Sequence, residues 1–215
     1  MTAGDLLRDV VGVLTDFRAA DDGQQRLRAD YLAHLAAHPD GVWKDGPPAH
    51  LTASCFVLDP DASKVLLTLH RKGGFWVQFG GHLEPGDATL AGAAAREARE
   101  ESGLRDLVLL PRSGPAPVGL HRHPLSAAFG RCREHLDVTY LAIAPPGSVP
   151  AVSDESEDVA WWPCEALPAT AVPDLAGRIA RVRAAVRADT GMGQPGRSSD
   201  SSFGCSRAPA EKPSR

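Results

Sequence analysis

Cysteine is scarce in this 215-residue chain, and its four copies, Cys55, Cys132, Cys164 and Cys205, lie far apart. That spacing resembles neither the staple framework of a small secreted domain nor a CxxC zinc knuckle. Positive charge is not in excess either: 23 Lys and Arg stand against 27 Asp and Glu, a formal net charge of −4. Attraction to a polyanion across the whole surface is thereby excluded, and nucleic acid is not an expected partner. No stretch reaches the roughly 20 apolar residues that span a bilayer, and the opening MTAGDLLRDVVG has no basic flank before its short apolar run. These absences lead to the expectation of a cytoplasmic protein with no membrane partner. No internal repeat is visible.

What is present is an ordinary globular composition, 43% apolar and 23% charged, with 21 glycines and 18 prolines that imply many turns. Leu6, Leu7, Val10, Val11, Leu14 and Phe17 recur at spacings of three and four, as do Leu27, Tyr31, Leu32 and Leu35. The two stripes predict a helical hairpin broken near Asp21-Asp22-Gly23, packed on the main body or on a second copy of the chain. From Leu51 the period changes. LTASCFVLD, KVLLTLH and FWVQF read as three extended segments, and residues 88 to 102 as a helix ended by Gly103. LVLL at 107–110 and HLDVTYLAIA at 135–144 read as strands, and residues 111–134 as a loop beside a site. A last helix is expected from near Pro173, carrying Leu175, Ile179, Val182 and Val186. The expected organisation is an N-terminal helical extension over 1–46, one domain over 47–188, and a disordered Gly/Ser/Pro-rich tail over 189–215.

The chemistry concentrates in Gly80-Gly81-His82-Leu83-Glu84-Pro85-Gly86-Asp87 and the helix after it. Glu97, Glu100 and Glu101 lie three and four positions apart, so three carboxylates share one helix face. Exposed like charges so placed repel by a few tenths of a kcal/mol per pair. Divalent cations reverse that sign, since hard carboxylate oxygens are what Mg²⁺ prefers, whereas a solvated acidic face needs no ligand at all. Two successive glycines let the backbone approach a ligand closely. Arg96 stands within reach of Glu100 or of Asp87 at the helix start, and either pairing orients a carboxylate.

These residues resemble the box of the Nudix hydrolases, G-x5-E-x7-R-E-U-x-E-E-x-G-U, in which U is a bulky aliphatic residue. Gly81 matches the first glycine, and Arg96-Glu97-Ala98-Arg99-Glu100-Glu101-Ser102-Gly103-Leu104 the second half. The sequence departs from the pattern in Asp87 for the glutamate, in eight rather than seven residues before Arg96, and in the small Ala98. The resemblance implies an α/β fold, an α/β/α sandwich with a mixed central sheet, to which the N-terminal helical hairpin is added. It also implies Mg²⁺-dependent hydrolysis, with Mn²⁺ able to substitute, of a nucleoside diphosphate linked to another moiety or of a related organic pyrophosphate. Glu97, Glu100 and Glu101 match the metal-binding carboxylates, with the carbonyl of Gly80 or Gly81 completing the shell. Glu97 or Glu100 is placed to accept the proton of the attacking water, with Glu134, Glu155 and Glu157 as candidates outside the box. A homodimer is expected from the same likeness. The alternative function is a noncatalytic nucleotide-sensing or regulatory binding module using the same recess.

The remaining candidates carry two readings each. Arg71 and Lys72 are phosphate contacts or surface strand ends, His82 a phosphate contact or a turn residue, and Glu84 a contributor to the cation site or a solvent-facing loop residue. Trp76, with Phe75, Tyr140, Trp161 and Trp162, walls a base or fills core volume. His121, His123 and His135 invite a zinc reading, yet no adjacent cysteine or carboxylate pattern fixes a tetrahedral set. No residue pattern names the substrate.

Overall fold

The computed structural model describes residues 3–126, 130–153 and 156–189. Of the tail expected over 189–215, Asp189 is the last residue of the final helix, and the rest, like Glu155, lies outside the described residues. Two helices lead the chain, α1 (Ala3–Asp16) and α2 (Asp22–Ala37), joined at Asp21, whose side chain accepts from the Gln24 amide and caps α2. The strands are β1 (Ala49–Leu58), β2 (Lys64–His70), β3 (Phe75–Val77), β4 (Phe79–His82), β5 (Gly119–Pro124), β6 (Glu134–Ile143) and β7 (Ser156–Pro163). Helix α3 (Leu90–Ser102) follows β4, and α4 (Leu175–Asp189) closes the described chain.

All seven strands form one mixed sheet in which β1 is central. One edge of β1 runs parallel to β6 along its whole length. The other edge is shared: Thr52 to Cys55 pair with β4, while Val57 and Leu58 pair with β2, so the sheet forks there. Buried on both faces, β1 turns Leu51, Ala53, Cys55 and Val57 to one side and His50, Thr52, Ser54, Phe56 and Leu58 to the other. Alternation then divides the core. Ala53, Cys55 and Val57 join Leu90, Ala94 and Ala98 of α3 in one cluster, while Phe56 and Leu58 join Leu175, Ile179, Val182 and Val186 of α4 in the other. Helices on both faces of a mixed sheet make the α/β/α sandwich.

The N-terminal stripe is spent on the chain's own body. Leu6, Val10, Leu14, Tyr31 and Leu35 belong to the same core cluster as β1 and α3, whereas Val11 faces outward. The Asp9 carboxylate accepts from the Leu90 amide at 2.7 Å, so α1 supplies negative charge to the N-terminus of α3. Buried Gln24 extends the β5 edge: its Nε2 donates to the Leu120 carbonyl at 3.0 Å and its Oε1 accepts from the Leu120 amide at 2.7 Å.

Two local expectations fail. LVLL at 107–110 makes a single bridge, Leu109 to Ala142, because neighbouring residues 111–118 turn away before pairing can propagate. Conversely, β5 lies inside the stretch read as a loop; its sequence GLHRHP lacks a strand signature, and pairing with β6 creates it.

Replacing Gln24 with Leu leaves the Leu120 amide and carbonyl without partners. Urea unfolding is expected to report a loss of about 1–3 kcal/mol with little change in slope.

Candidate functional site

Helix α3 begins at an N-cap, Thr89, whose hydroxyl accepts from the Gly92 amide, and ends at left-handed Gly103. Its small residues lie flat on β1, a close packing that brings its carboxylate face beside β4. There the two glycines have separate steric reasons. A Cβ on Gly80 would lie 2.8 Å from Ser54 Cα and Ala53 O of β1, and a Cβ on Gly81 would lie 2.5 Å from Glu97 Oε1. Only bare backbone fits between strand β1 and the helix carboxylate. The Gly80 amide donates to Glu101 Oε2 at 2.9 Å, tying the other buried carboxylate to the same strand.

Arg96 organises the acidic groups. Its Nε and Nη2 donate to Asp87 Oδ1 and Oδ2, both at 3.0 Å, in a two-pronged pair. Nη1 donates to Glu97 Oε1 and Glu100 Oε2, again at 3.0 Å, and Nη2 also donates to the His82 carbonyl. The Glu84 carboxylate stands 3.9 Å away and is largely exposed. Burial opposes the Arg96 charge, but the hydrogen bond it donates to Asp87 and the charges of Glu97 and Asp87 outweigh it and raise its pKa above the ordinary arginine value. Asp87 is buried and turned back on its own loop, where Oδ2 accepts from the Glu84 amide at 2.8 Å. Asp87 pairs with Arg96 across the eight intervening residues, which include the turn to the N-cap Thr89.

One guanidinium facing four carboxylates leaves the cluster electronegative. Glu97 and Glu101 are buried, Glu100 is open, and the donor set is hard oxygen throughout. Such a set fits Mg²⁺ or Mn²⁺.

The other sequence candidates fall elsewhere. Trp76 is buried at 7% exposure and packs edge-on against Trp162 in the α4-side core, where the apolar neighbours of a short strand leave its ring no open face. Arg71 is exposed at the end of the β2 hairpin, and its Nη2 donates to the Ser156 carbonyl at 3.1 Å. The next residue, Glu157, is exposed where the β2–β7 register slips between Leu69 and His70, so Arg71 and Glu157 share one sheet edge. Glu134 is paired with Arg122. The His82 ring leaves its carbonyl with Arg96 and joins His50 and His135, at centroid distances of 5.1 and 5.0 Å. Burial pushes the His82 imidazole down to about 4 and that of His135 to about 3, so both are neutral near pH 7. His121 and His123 stack on β5, with His121 2.7 Å from Asp174.

Sequence reasoning missed His50, Cys132 and a buried polar row. In that row Thr52, Ser54 and Thr139 donate to Asp137, and Arg178 reaches both Asp137 and Gln78. The Cys132-x-x-His135 spacing was the available signal; the rest depends on strand register.

A family model described as NUDIX domain matches residues 48–182. The chain is similar in fold to a crystal structure of a NUDIX-family hydrolase from Clostridium perfringens, with 23% identity, TM-score 0.52, and coverage of 64% of this chain and 97% of that one. It is likewise similar to a C. elegans Ap4A hydrolase in a binary complex, at 17% identity and TM-score 0.51, covering 64% and 98% of the two chains. The E. coli dihydroneopterin triphosphate pyrophosphohydrolase matches at 18% identity and TM-score 0.51, covering 62% and 95%.

Lysine at position 96 cannot reproduce the two-pronged pair. Arg96→Lys is expected to cost about 1–3 kcal/mol in denaturant unfolding, against a few tenths at most for the exposed Arg105→Lys.

Proposed function

We propose, from the premise that this chain belongs to the NUDIX family, that it cleaves a nucleoside diphosphate linked to another moiety, or a related organic pyrophosphate, in a Mg²⁺-dependent reaction. It is a pyrophosphohydrolase by family. The observation that carries the finer reading is the Arg96 hub, which holds Glu97 and Glu100 on one side while Gly80 fastens Glu101 on the other.

In this reading Glu97, Glu100 and Glu101, with the Gly80 carbonyl, hold the cation, and Mn²⁺ replaces Mg²⁺. A bound cation would supply positive charge opposite the diphosphate and Lewis acidity toward the attacking water. Gly81 keeps the backbone low enough for a phosphate to approach, and exposed Arg71 reaches for a terminal phosphate oxygen. A carboxylate, Glu100 on the helix or Glu157 on β7, takes the proton as the water oxygen bonds to phosphorus and the bridging oxygen departs with the electron pair. Arg96 fixes the direction of Glu97 and Glu100 and so limits the reorganisation needed at that moment. A homodimer through the N-terminal stripe loses its support, since that stripe is buried in the chain's own core. No described helix is long and apolar enough to cross a membrane. The noncatalytic nucleotide-sensing alternative is set aside, because an arrangement that pre-aims an open carboxylate beside two buried ones suits turnover.

A panel of nucleoside-diphosphate compounds, incubated with Mg²⁺ and read by product mass, tests the reading. Cleavage should require the metal and fall by at least about 10–100-fold in Glu101→Gln with the fold intact, since that change removes a carboxylate from the cation's donor set. Tight ligand binding with no product from any compound would favour the sensing module. Comparing Glu100→Gln with Glu157→Gln identifies the base: the true one loses the acidic limb of the pH–rate profile. Gly81→Ala, whose methyl collides with Glu97, is expected to weaken Mn²⁺ binding while leaving the melting temperature near that of the wild type.

A further inference from the structure

We propose that His50, His82, Cys132 and His135 form a second metal site, closed by four protein ligands and suited to Zn²⁺ rather than Mg²⁺. One ligand atom from each residue lies within 4.8 Å of all the others. The group is assembled by the sheet. His50 at the start of β1 stands directly opposite His135 on parallel β6, and His82 ends β4 opposite Thr52, two residues along β1. Alternation puts all three rings on one face. Cys132 enters from the segment before β6, which is anchored by the Arg133 amide donating to the Pro48 carbonyl at 2.8 Å.

Three observations favour a metal over mere packing. His50 Nε2 and His135 Nε2 are buried with no hydrogen-bond partner among the described residues, an arrangement that costs free energy unless something fills it. The His50 Nδ1 donates to the Pro47 carbonyl at 2.9 Å, which leaves the Nε2 lone pair directed at the group; this is how a backbone carbonyl orients a metal-binding imidazole. Cys132 Sγ and His82 Nε2 are 3.9 Å apart, close to the edge of about 3.3–3.8 Å expected for a tetrahedron with Zn–N and Zn–S bonds of normal length. A pair at the 4.8 Å limit needs a contraction of roughly 1.5 Å at most, shared between two side chains that can rotate. Imidazole and thiolate select zinc-class ions, whereas the Arg96 cluster is all oxygen. Four protein ligands leave no open position, so the site is structural. Its consequence reaches the acidic cluster, because the His82 carbonyl accepts from Arg96: an ion on the ring would pin the end of β4 from which Arg96 is hung.

The untagged full chain, stripped with chelator, is titrated with Co²⁺ and then with Zn²⁺. The expected result is tetrahedral ligand-field bands and a thiolate-to-cobalt charge-transfer band that saturate together at one equivalent of Co²⁺, apart from any octahedral binding at the carboxylates, and that are bleached by one equivalent of Zn²⁺. Cys132→Ser should abolish the charge-transfer band and weaken Zn²⁺ binding by at least the roughly 10–100-fold that loss of an outer-shell partner costs. Glu101→Gln, outside this group, should leave the tetrahedral and thiolate bands unchanged. Zn²⁺ should also raise the melting temperature of the wild type. An exclusively octahedral cobalt spectrum, or a spectrum with no thiolate band in the wild type, would overturn the site whatever the variants do.

Discussion

Two parallel hydrogen bonds from the Arg96 guanidinium to Asp87 hold the middle of α3 against the loop that leads into the helix. Everything chemical in the site is referred to that pair. With the guanidinium plane fixed, its remaining donors aim Glu97, Glu100 and the His82 carbonyl, so loop, strand and helix are joined through one side chain. The fork shape matters more than the charge. A point cation would neutralise the same carboxylates without setting their directions.

The site also depends on how closely α3 can lie on the sheet. Ala93, Ala94 and Ala98 give it a flat underside, and Gly80 and Gly81 remove the side chains that would intervene. The N-terminal hairpin belongs to this arrangement rather than standing apart from it. Asp9 meets the first turn of α3, and Leu6, Val10 and Leu14 share its core. The same sheet carries histidines immediately beside the glycine pair, where register brings β1, β4 and β6 together. An acidic cluster and an imidazole–thiolate group therefore meet at His82, one through its carbonyl and the other through its ring.

Much of the fold was legible locally. The helices carry period-three-and-four stripes whose predicted apolar members Leu6, Val10, Tyr31, Leu90, Ile179 and Val182 are all buried. Strands β1, β2 and β6 are apolar runs that match their sequence readings closely. The box residues were legible because their spacing lies within one turn-and-helix unit. Trp76 was not assignable, since a wall for a ligand and a core filler have the same composition; its place in the α4-side cluster makes it the latter. Strand β5 escaped because GLHRHP is polar and turn-rich, and it is held by its partner β6 and by the Gln24 amide rather than by its own propensity.

The sequence by itself determined the elements whose information is short-range: the carboxylate helix, its cap and terminator, the glycine pair, and the family those residues signify. Tertiary structure alone decided that the hairpin completes the core and that Asp87 keeps its bond to Arg96 despite an inserted residue. It also decided that His50, 85 positions before His135, lies directly beside it. The physical reason is that period and capping are properties of adjacent residues. Strand register and the fork of β1 depend instead on the simultaneous burial of both sheet faces, a condition no single segment contains.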